Sequence, residues 1–253
     1  MPAISAVIIT FNEEQHIERC ILSLQDIADE VLVMDSLSTD KTCEIAKRLG
    51  ARVVAEPWLG YGAMKNKANS LAANDLILSI DADEALSKEL ASSVLSIKNN
   101  PQGAYSFNRL NNYYGKWMRH GGVYPDRKTR LFDRRKARWT GAHVHEVLEL
   151  DKEVKINFLP GDLLHYTCDS VEAHVAQISR FTKLAAEGMK AKGRKPSFLR
   201  MYFGAWFRFT QMFLLKAGFL DGKAGFIMAL NSAYAIILRE EILWQLWQEE
   251  KRP

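Results

Sequence analysis

Two carboxylates separated by a single residue follow an apolar run in the first third of the chain. Asp81-Ala82-Asp83, with Glu84 next, comes directly after the run at 76–80. Side chains at positions i and i+2 beyond a strand can turn into one crevice, where a hard divalent cation finds the oxygen ligands that it needs. Such a cation neutralises charge on a departing phosphate group. The alternative is a solvated acidic turn that caps the next helix.

Two other charged residues in the first third of the chain, Asp35 and Lys65, could also contact a ligand. Asp35 ends the run at 30–35 and is followed by Ser36. An acidic residue at a strand end can accept hydrogen bonds from a ribose or a base N–H, although the hydroxyl residues after it could simply cap the next helix. Lys65 follows a glycine pair, and it either reaches a phosphate as a point charge or lies on a solvated helix face.

Basic residues and histidines mark the middle of the chain. Arg127, Lys128 and Arg130 form a cluster that could bind anionic groups of a substrate, or an ordinary basic surface loop. His143 and His145 would share one face of a strand. A zinc site there is conceivable, but the sequence HVHE lacks the HExxH spacing. Histidines with a structural role near a loop are the alternative.

The elements that must position these residues can be read from the first hundred residues. Short β-branched runs cover 3–10, 30–35, 52–55 and 76–81, and helical patterns cover 13–24, 39–49, 61–72 and 87–98. This alternation predicts a doubly wound, mostly parallel α/β sheet. Ligands bind such sheets beyond the carboxyl ends of the strands, where three of the four runs end in polar residues. The first run leads into TFNEE rather than a GxGxxG loop, which argues against dinucleotide binding.

Together these segments resemble glycosyltransferase family 2, a large family with the GT-A fold. The segments that carry the resemblance are AVIITFNEE, VLVMDSLSTDKT, GYGAMKNKA and LILSIDADE. The resemblance implies an inverting transfer from a UDP-sugar donor with the help of a divalent cation, Mg²⁺ or Mn²⁺. Arg138-Trp139 is similar to the RW of processive synthases, but it precedes the expected base and no spanning helices follow, so we expect a single addition. It also implies that residues 1–100 are the nucleotide-sugar-binding half of the domain and residues 101–192 the acceptor-binding, catalytic half.

The resemblance assigns roles at the matching positions. It implies donor-binding roles for Thr10, Phe11, Asn12, Glu13, Asp35, Ser36, Lys65, Asp81 and Ala82. Asp83 would hold the metal ion, and His165 would complete its shell unless it is a core histidine with satisfied hydrogen bonds. The acceptor side would comprise Arg127, Lys128, Arg130, Trp139 and His143.

An inverting transfer also needs a base that takes the proton of the acceptor hydroxyl. In the family this base is a carboxylate, often within an acidic pair. Here HVHE stands in its place, so Glu146 is the first candidate and His145 the second.

Later segments narrow the resemblance. RKTRLFD, RWTGAHVHE, LLHY and GFLDGKAGF resemble bacterial lipopolysaccharide-core glucosyltransferases. This implies a hexose, in the first place glucose, and a lipid-linked saccharide acceptor in the inner core. Two alternatives stay open: a polyprenyl-phosphate glycosyltransferase, and an inactive nucleotide-sugar-binding or membrane-scaffolding protein.

The segment 193–253 differs in composition from the rest. On a helix from residue 197, Arg200, Gly204, Arg208 and Gln211 fall on one stripe, and aromatic residues cover the remaining surface. A wide aromatic face with a cationic stripe is typical of a helix at a membrane surface. A helix packed on the catalytic domain or in a dimer interface is the alternative. The charge-free stretch at 224–238 is shorter than the roughly 20 residues that span a bilayer, so we expect no transmembrane helix.

The composition and the N-terminal sequence indicate where the protein is located in the cell. The net charge of +4 is too small to indicate binding to nucleic acid. Cys20, Cys43 and Cys168 form no CxxC pair, which favours a reducing compartment. The N-terminus lacks the pattern of a signal peptide. We therefore expect a peripheral protein on the cytoplasmic face of the inner membrane.

Overall fold

The computed structural model describes residues 2–140, 146–168 and 171–250. The chain forms two compact units, which we call unit 1 (Met1–Leu110 and Asp126–Tyr166) and unit 2 (Asn111–Pro125 and Thr167–Pro253). The division at residues 100 and 192 that the sequence suggests is a division by function, and it stays a prediction.

The described residues alternate strands and helices as expected in the first hundred positions. The strands are β1 Ile4–Thr10, β2 Glu30–Asp35, β3 Arg52–Ala55, β4 Leu76–Asp81, β5 Glu84–Leu86, β6 Ala104–Tyr113, β7 Lys116–Trp117, β8 Asp126–Asp133, β9 Ala137–Thr140, β10 Val147–Leu150 and β11 Ile156–Cys168. The helices are α1 Ile17–Leu22, α2 Thr42–Arg48, α3 Tyr61–Leu71, α4 Lys88–Lys98, α5 Val171–Ala191, α6 Phe198–Thr210 and α7 Gly222–Glu249.

The main sheet is mixed and runs in the order β3-β2-β1-β4-β8-β6-β11-β5. Strands β1 to β4 are parallel to one another. Strand β8 runs antiparallel to both β4 and β6, and β5 runs antiparallel to β11. The predicted α/β class with a helical C-terminal part is therefore confirmed, with a parallel part built from the first four strands and an antiparallel part from the later ones.

Helices cover both faces of the parallel strands. Ile4, Ala6 and Ile8 point into a core formed with α1, α2 and α4. Val7 and Ile9 point into a second core formed with α3. Because both faces of β1, of β4 and of most of β2 are buried, these strands read in the sequence as continuous apolar runs rather than as alternating ones.

The first helix begins later than its pattern predicts. The pattern covers 13–24, but α1 begins at Ile17. Asn12 adopts a positive φ of 54° and its backbone N–H donates to the hydroxyl of Ser38 at 2.8 Å. The N–H of Glu13 likewise donates to the hydroxyl of Thr42 at 2.8 Å. These residues form a loop because hydroxyl groups from the segment after β2 and from the start of α2 accept hydrogen bonds from their backbone N–H groups, which a local pattern cannot show.

Unit 2 is mainly helical. Helix α7 packs against α5 and α6, and a π-helical turn at Gln211–Leu215 with a 3₁₀ turn at Gly218–Asp221 joins α6 to α7. Buried Asp221 accepts hydrogen bonds from the backbone N–H groups of Arg119 and His120, at 3.0 and 2.8 Å. No helix within the described ranges combines the length and the apolar character needed to cross a bilayer.

Candidate active site

The ends of β1 and β2 form a polar cradle. Asp35 is buried, and its two carboxylate oxygens accept hydrogen bonds from the hydroxyl and the backbone N–H of Ser38, at 2.5 and 2.9 Å. Asn12 closes the cradle, since its side-chain oxygen accepts the N–H of Thr39 at 2.8 Å. The Phe11 ring is 56% exposed. The predicted residues of the first two strand ends are thus brought together.

Two buried hydroxyl groups of this cradle have no hydrogen-bond partner in the described part of the chain. Thr10 and Ser36 are 6% and 7% exposed, and their side-chain oxygens form no hydrogen bond with any described residue. An unpaired buried hydroxyl costs on the order of 1–3 kcal/mol. A ligand that supplied donors or acceptors here would recover this free energy.

Asp81 is held by two cations. Its Oδ1 lies 3.1 Å from the ammonium of Lys65, and its Oδ2 accepts a hydrogen bond from Arg130 at 2.9 Å. Burial alone would raise the pKa of Asp81, but the charges of Arg130 and Lys65 hold it well below its usual range. Because both oxygens already face cations, Asp81 is suited to organise the site rather than to ligate a metal ion directly.

Asp83 instead faces His165. The Nε2 atom of His165 lies 3.1 Å from Oδ2 of Asp83, although the two residues are 82 positions apart. Strand β5 follows Asp83 directly and pairs with β11 in a register that sets His165 opposite Glu84. The backbone N–H of Tyr166 then donates to the carbonyl of Asp83 at 2.9 Å. Burial would lower the pKa of His165, but its hydrogen bond with Asp83 and the charges of Asp83 and Glu84 raise it.

Lys65 connects Asp81 to Glu146. Its side chain is 1% exposed, and its ammonium lies 3.3 Å from Oε1 of Glu146. The same ammonium lies 4.7 Å from the centre of the Trp139 ring, within the range of a cation–π interaction. Among the described residues, Lys65 alone donates a hydrogen bond to Glu146, and it does so at Oε1. His143 and His145 lie outside the described residues.

The family of the chain follows from its match to a family model. A family model described as glycosyl transferase family 2 matches residues 5–147, more than half of the chain. The chain belongs to glycosyltransferase family 2.

Whole-chain relatives support this membership. A glycosyltransferase of uncharacterised activity from Rickettsia bellii is 36% identical over 247 residues, which cover 93% of this chain and 84% of that protein. A lipopolysaccharide core biosynthesis glycosyltransferase, LpsC, from Rhizobium meliloti is 28% identical over 259 residues, which cover 99% and 95% of the two chains. Among solved structures, glucosyl-3-phosphoglycerate synthase from Mycobacterium tuberculosis in complex with Mn²⁺, UDP and glucosyl-3-phosphoglycerate is 27% identical, covers 44% of each chain and has a TM-score of 0.37.

In this glycosyltransferase two further charged residues lie at the site, Glu84 and Arg109, which the sequence did not predict as ligands or bases. Glu84 is 1% exposed, and its Oε2 accepts the backbone N–H of Asp81 at 2.9 Å. Its Oε1 lies 3.5 Å from Arg130 and 3.6 Å from Arg109. Glu84 therefore ties the turn that carries Asp81 and Asp83 to two guanidinium groups. Arg109 lies on β6 and had no signal in the sequence beyond being a charged residue within a strand.

The transferase does not keep its predicted basic cluster together. The pairing of β8 with β6 is irregular here, since Tyr105 pairs with Leu131 and Ser106 with Thr129, which leaves Arg130 between the two pairs. Arg130 is 5% exposed and turned to Asp81 and Glu84, where their charges raise its pKa although burial would lower it. Arg127 lies over the Phe158 ring instead, and Lys128 pairs with Asp126 at 3.0 Å. An acceptor role for these residues stays a prediction.

The described residues of the transferase contain no group of three side chains that could hold a metal ion by themselves. The chemistry of the pair Asp83 and His165 still fits one. A catalytic Mg²⁺ is usually held by one or two protein ligands, with substrate phosphates and water completing its coordination. Both residues offer suitable atoms, and their side chains are 29% and 13% exposed.

Proposed function

We propose that the protein is a metal-dependent, inverting glycosyltransferase that moves a hexose from a UDP-sugar to a lipid-linked saccharide. The observation that carries this proposal is the meeting of the Asp35 cradle, the pair Asp83 and His165, and Glu146 with Lys65 at the carboxyl ends of the parallel strands. This is the edge where α/β sheets bind their ligands.

The cradle would receive the nucleoside part of the donor. Asp35 offers acceptor oxygens, and the unpaired hydroxyls of Thr10 and Ser36 lie beside it at the ends of adjacent, hydrogen-bonded strands. The exposed ring of Phe11 offers a flat surface against which a base can stack. Asn12 and Glu13 would shape this loop. Ala82, in contrast, is 3% exposed and packs in the core formed with α1, α2 and α4, so its side chain does not face the donor.

Asp83 and His165 would hold the divalent cation together with the donor diphosphate. A bound Mg²⁺ or Mn²⁺ neutralises the charge that develops on the departing diphosphate. Asp81, fixed by Lys65 and Arg130, keeps the turn that carries Asp83 in place. Arg130 would thus act through Asp81 rather than on the acceptor.

Glu146 would act as the general base. As the acceptor oxygen forms its bond to the anomeric carbon, the bond from that carbon to the diphosphate oxygen breaks and UDP leaves with the electron pair. The proton of the acceptor hydroxyl passes to Oε2 of Glu146, while Lys65 orients the carboxylate through Oε1. Trp139, which packs over Lys65, and His143 would contact the acceptor sugar.

The acceptor assignment is supported by the similarity to LpsC, a protein named for lipopolysaccharide core biosynthesis. The exposed apolar surface of α6 supports a lipid-linked acceptor. Phe198, Leu199, Tyr202, Phe203 and Trp206 are each 66–70% exposed. A surface of this kind lies favourably at a membrane interface. The location that we propose is the cytoplasmic face of the inner membrane.

Asp83→Asn tests the proposed function. UDP binding measured by calorimetry should strengthen on addition of Mn²⁺ in the unaltered protein. In the variant this gain should fall by about tenfold, or roughly 1.4 kcal/mol, and transfer should be lost. Asp26→Asn, a change at an exposed carboxylate, is the matched control. An unchanged Mn²⁺-dependent affinity in a folded Asp83→Asn protein would refute the metal role.

Hydrolysis of UDP-sugars separates the enzyme from an inactive scaffold, which should release no UDP. A panel of truncated core lipids and polyprenyl phosphates then separates the two acceptor classes. Transfer to polyprenyl phosphate alone would contradict the core-saccharide assignment.

A further inference from the structure

A second candidate binding site lies within unit 2, between the N-terminal end of α6 and the C-terminal half of α7. It is a groove of about 700 Å³ lined by Pro196, Ser197, Phe198, Met201, Glu240, Glu241, Trp244 and Gln245. The walls are largely apolar. Phe198 and Trp244 are 69% and 51% exposed, so aromatic rings border the opening.

A buried carboxylate with an unsatisfied oxygen lies in this groove. Glu240 is 2% exposed, and its Oε2 accepts the backbone N–H of Ser197 at 3.0 Å. Its Oε1 accepts no hydrogen bond from the described residues. Arg200 and Arg239 approach Oε1 only to 3.5 and 4.0 Å. A buried carboxylate oxygen without a donor is costly, so a ligand that donates a hydrogen bond would be stabilised here.

The charges and the apolar walls indicate the class of ligand. The guanidinium groups of Arg200 and Arg239 both approach the carboxylate of Glu240, and Glu241 adds a second negative charge to the lining of the groove. Because the charges at the groove balance, a zwitterionic headgroup is favoured over a simple cation. The exposed ring of Trp244 beside two carboxylates suits an ammonium group. The apolar walls suit the glycerol and the upper acyl carbons of an amphiphile.

The groove is continuous with the apolar surface of α6, because Phe198 belongs to both. We propose that this groove binds the headgroup of a membrane phospholipid that carries a primary ammonium, as ethanolamine phospholipids do, with the ammonium donating to Glu240. This inference rests on the proposed contact of α6 with a membrane. It adds to that contact a selectivity for headgroups that can donate hydrogen bonds.

Vesicles that differ only in methylation of the headgroup nitrogen provide the first experiment. Phosphatidylethanolamine, its monomethyl and dimethyl derivatives, and phosphatidylcholine offer three, two, one and no N–H donors at similar charge. At a constant fraction of anionic lipid, we expect affinity in a flotation assay to fall by about tenfold across this series, the size of one lost charge-assisted hydrogen bond. Equal affinities across the series would overturn the inference while leaving the membrane contact standing.

Glu240→Gln tests the residue, and Glu187→Gln, a change at an exposed carboxylate on α5, is its control. The Glu240 variant should bind phosphatidylcholine vesicles like the unaltered protein but lose the preference for phosphatidylethanolamine. A preference that survives in this variant would overturn the role of Glu240.

A water-soluble lipid separates the groove from the membrane contact. Dihexanoyl phosphatidylethanolamine, added as a monomer, should bind more tightly than its choline counterpart and should change the fluorescence of Trp244, with Trp244→Phe as the reference. If Glu240→Gln proves unfolded, this comparison in the unaltered protein decides the question. No difference between the two lipids would overturn the inference, and no binding to any vesicle would refute the proposed membrane contact itself.

Discussion

Lys65 shows how a single buried charge can organise an active site. An ammonium group removed from water is costly unless opposite charges and hydrogen bonds surround it. Asp81 and Glu146 meet this requirement from two sides, and Trp139 adds the face of its ring. One side chain therefore fixes the carboxylate next to the proposed metal site and the carboxylate proposed as the base. Because Lys65 contacts both carboxylates, a displacement of one would shift Lys65 and so alter its contact with the other.

Glu146→Gln tests the base at the residue scale. The change keeps the shape of the side chain and removes its basicity, so turnover should fall by about a hundredfold or more, the usual contribution of a general base. Affinity for UDP-sugar should stay near normal, because the residue acts in the transfer step. The exposed change Glu149→Gln is the control. Near-normal turnover in Glu146→Gln, beside an inactive His145→Ala protein, would assign the base to His145.

Strand β11 positions His165 through a close contact with α4. Gly161 has a φ of 99°, and a Cβ atom there would lie 2.3 Å from the backbone nitrogen of Leu90. Next to it, the N–H of Asp162 donates to the hydroxyl of Ser87, the N-cap of α4, at 3.1 Å. The strand can pass this helix only where no side chain intervenes. Four positions later it delivers His165 to Asp83.

Gly161→Ala should therefore be strongly destabilising. The left-handed backbone alone costs an alanine on the order of 1–3 kcal/mol, and the clash with the backbone of Leu90 adds to it. Thermal unfolding should show a clear fall in Tm, together with weaker metal-dependent UDP binding. Gly188→Ala, in α5 with no neighbouring atom within 4 Å, is the control and should gain about 0.5–1 kcal/mol. Equal Tm values for the two variants would contradict this account.

In unit 2, helix α6 turns its polar stripe inward and its aromatic residues outward, which is the reverse of the usual arrangement. The polar stripe that the sequence shows is turned inward to α7, where Arg200 pairs with Glu240 and Gly204 allows Ile236 to approach. The aromatic residues point outward. In water this arrangement leaves a wide apolar surface exposed, and covering it with lipid or with another protein surface would stabilise the molecule.

The paired change Phe203→Ser and Trp206→Ser tests which of these covers the surface. Both side chains are about two-thirds exposed, so the fold should tolerate their loss. Binding to anionic vesicles should fall by about a hundredfold or more, since each of the two rings removed takes a burial contribution of roughly 1.5–3 kcal/mol with it. Leu95→Ser, at an exposed position on α4, is the control. Unchanged vesicle binding, with a dimer of the unaltered protein that dissociates in the variant, would identify the surface as an interface between two copies.

The sequence by itself determined the elements around the donor site. The bounds of β2, β3 and β4 agree with their apolar runs. For β2 and β4 the reason is that a strand largely buried on both faces leaves a local signal. The polar residues at the strand ends were also evident, since parallel strands bring their carboxyl ends to one edge. Family membership followed from the same short segments and is confirmed.

Only the tertiary structure decided which distant residues meet at that edge. His165 reaches Asp83 through the pairing of β5 with β11, and Arg109 reaches Glu84 through the place of β6 in the sheet. Arg130 parted from Arg127 because the pairing of β8 with β6 shifts register between Thr129 and Leu131. The stripe of Arg200 turned inward because α7 carries a buried carboxylate. Such contacts depend on strand register and helix packing between segments far apart in the chain. A local sequence pattern therefore does not predict these contacts.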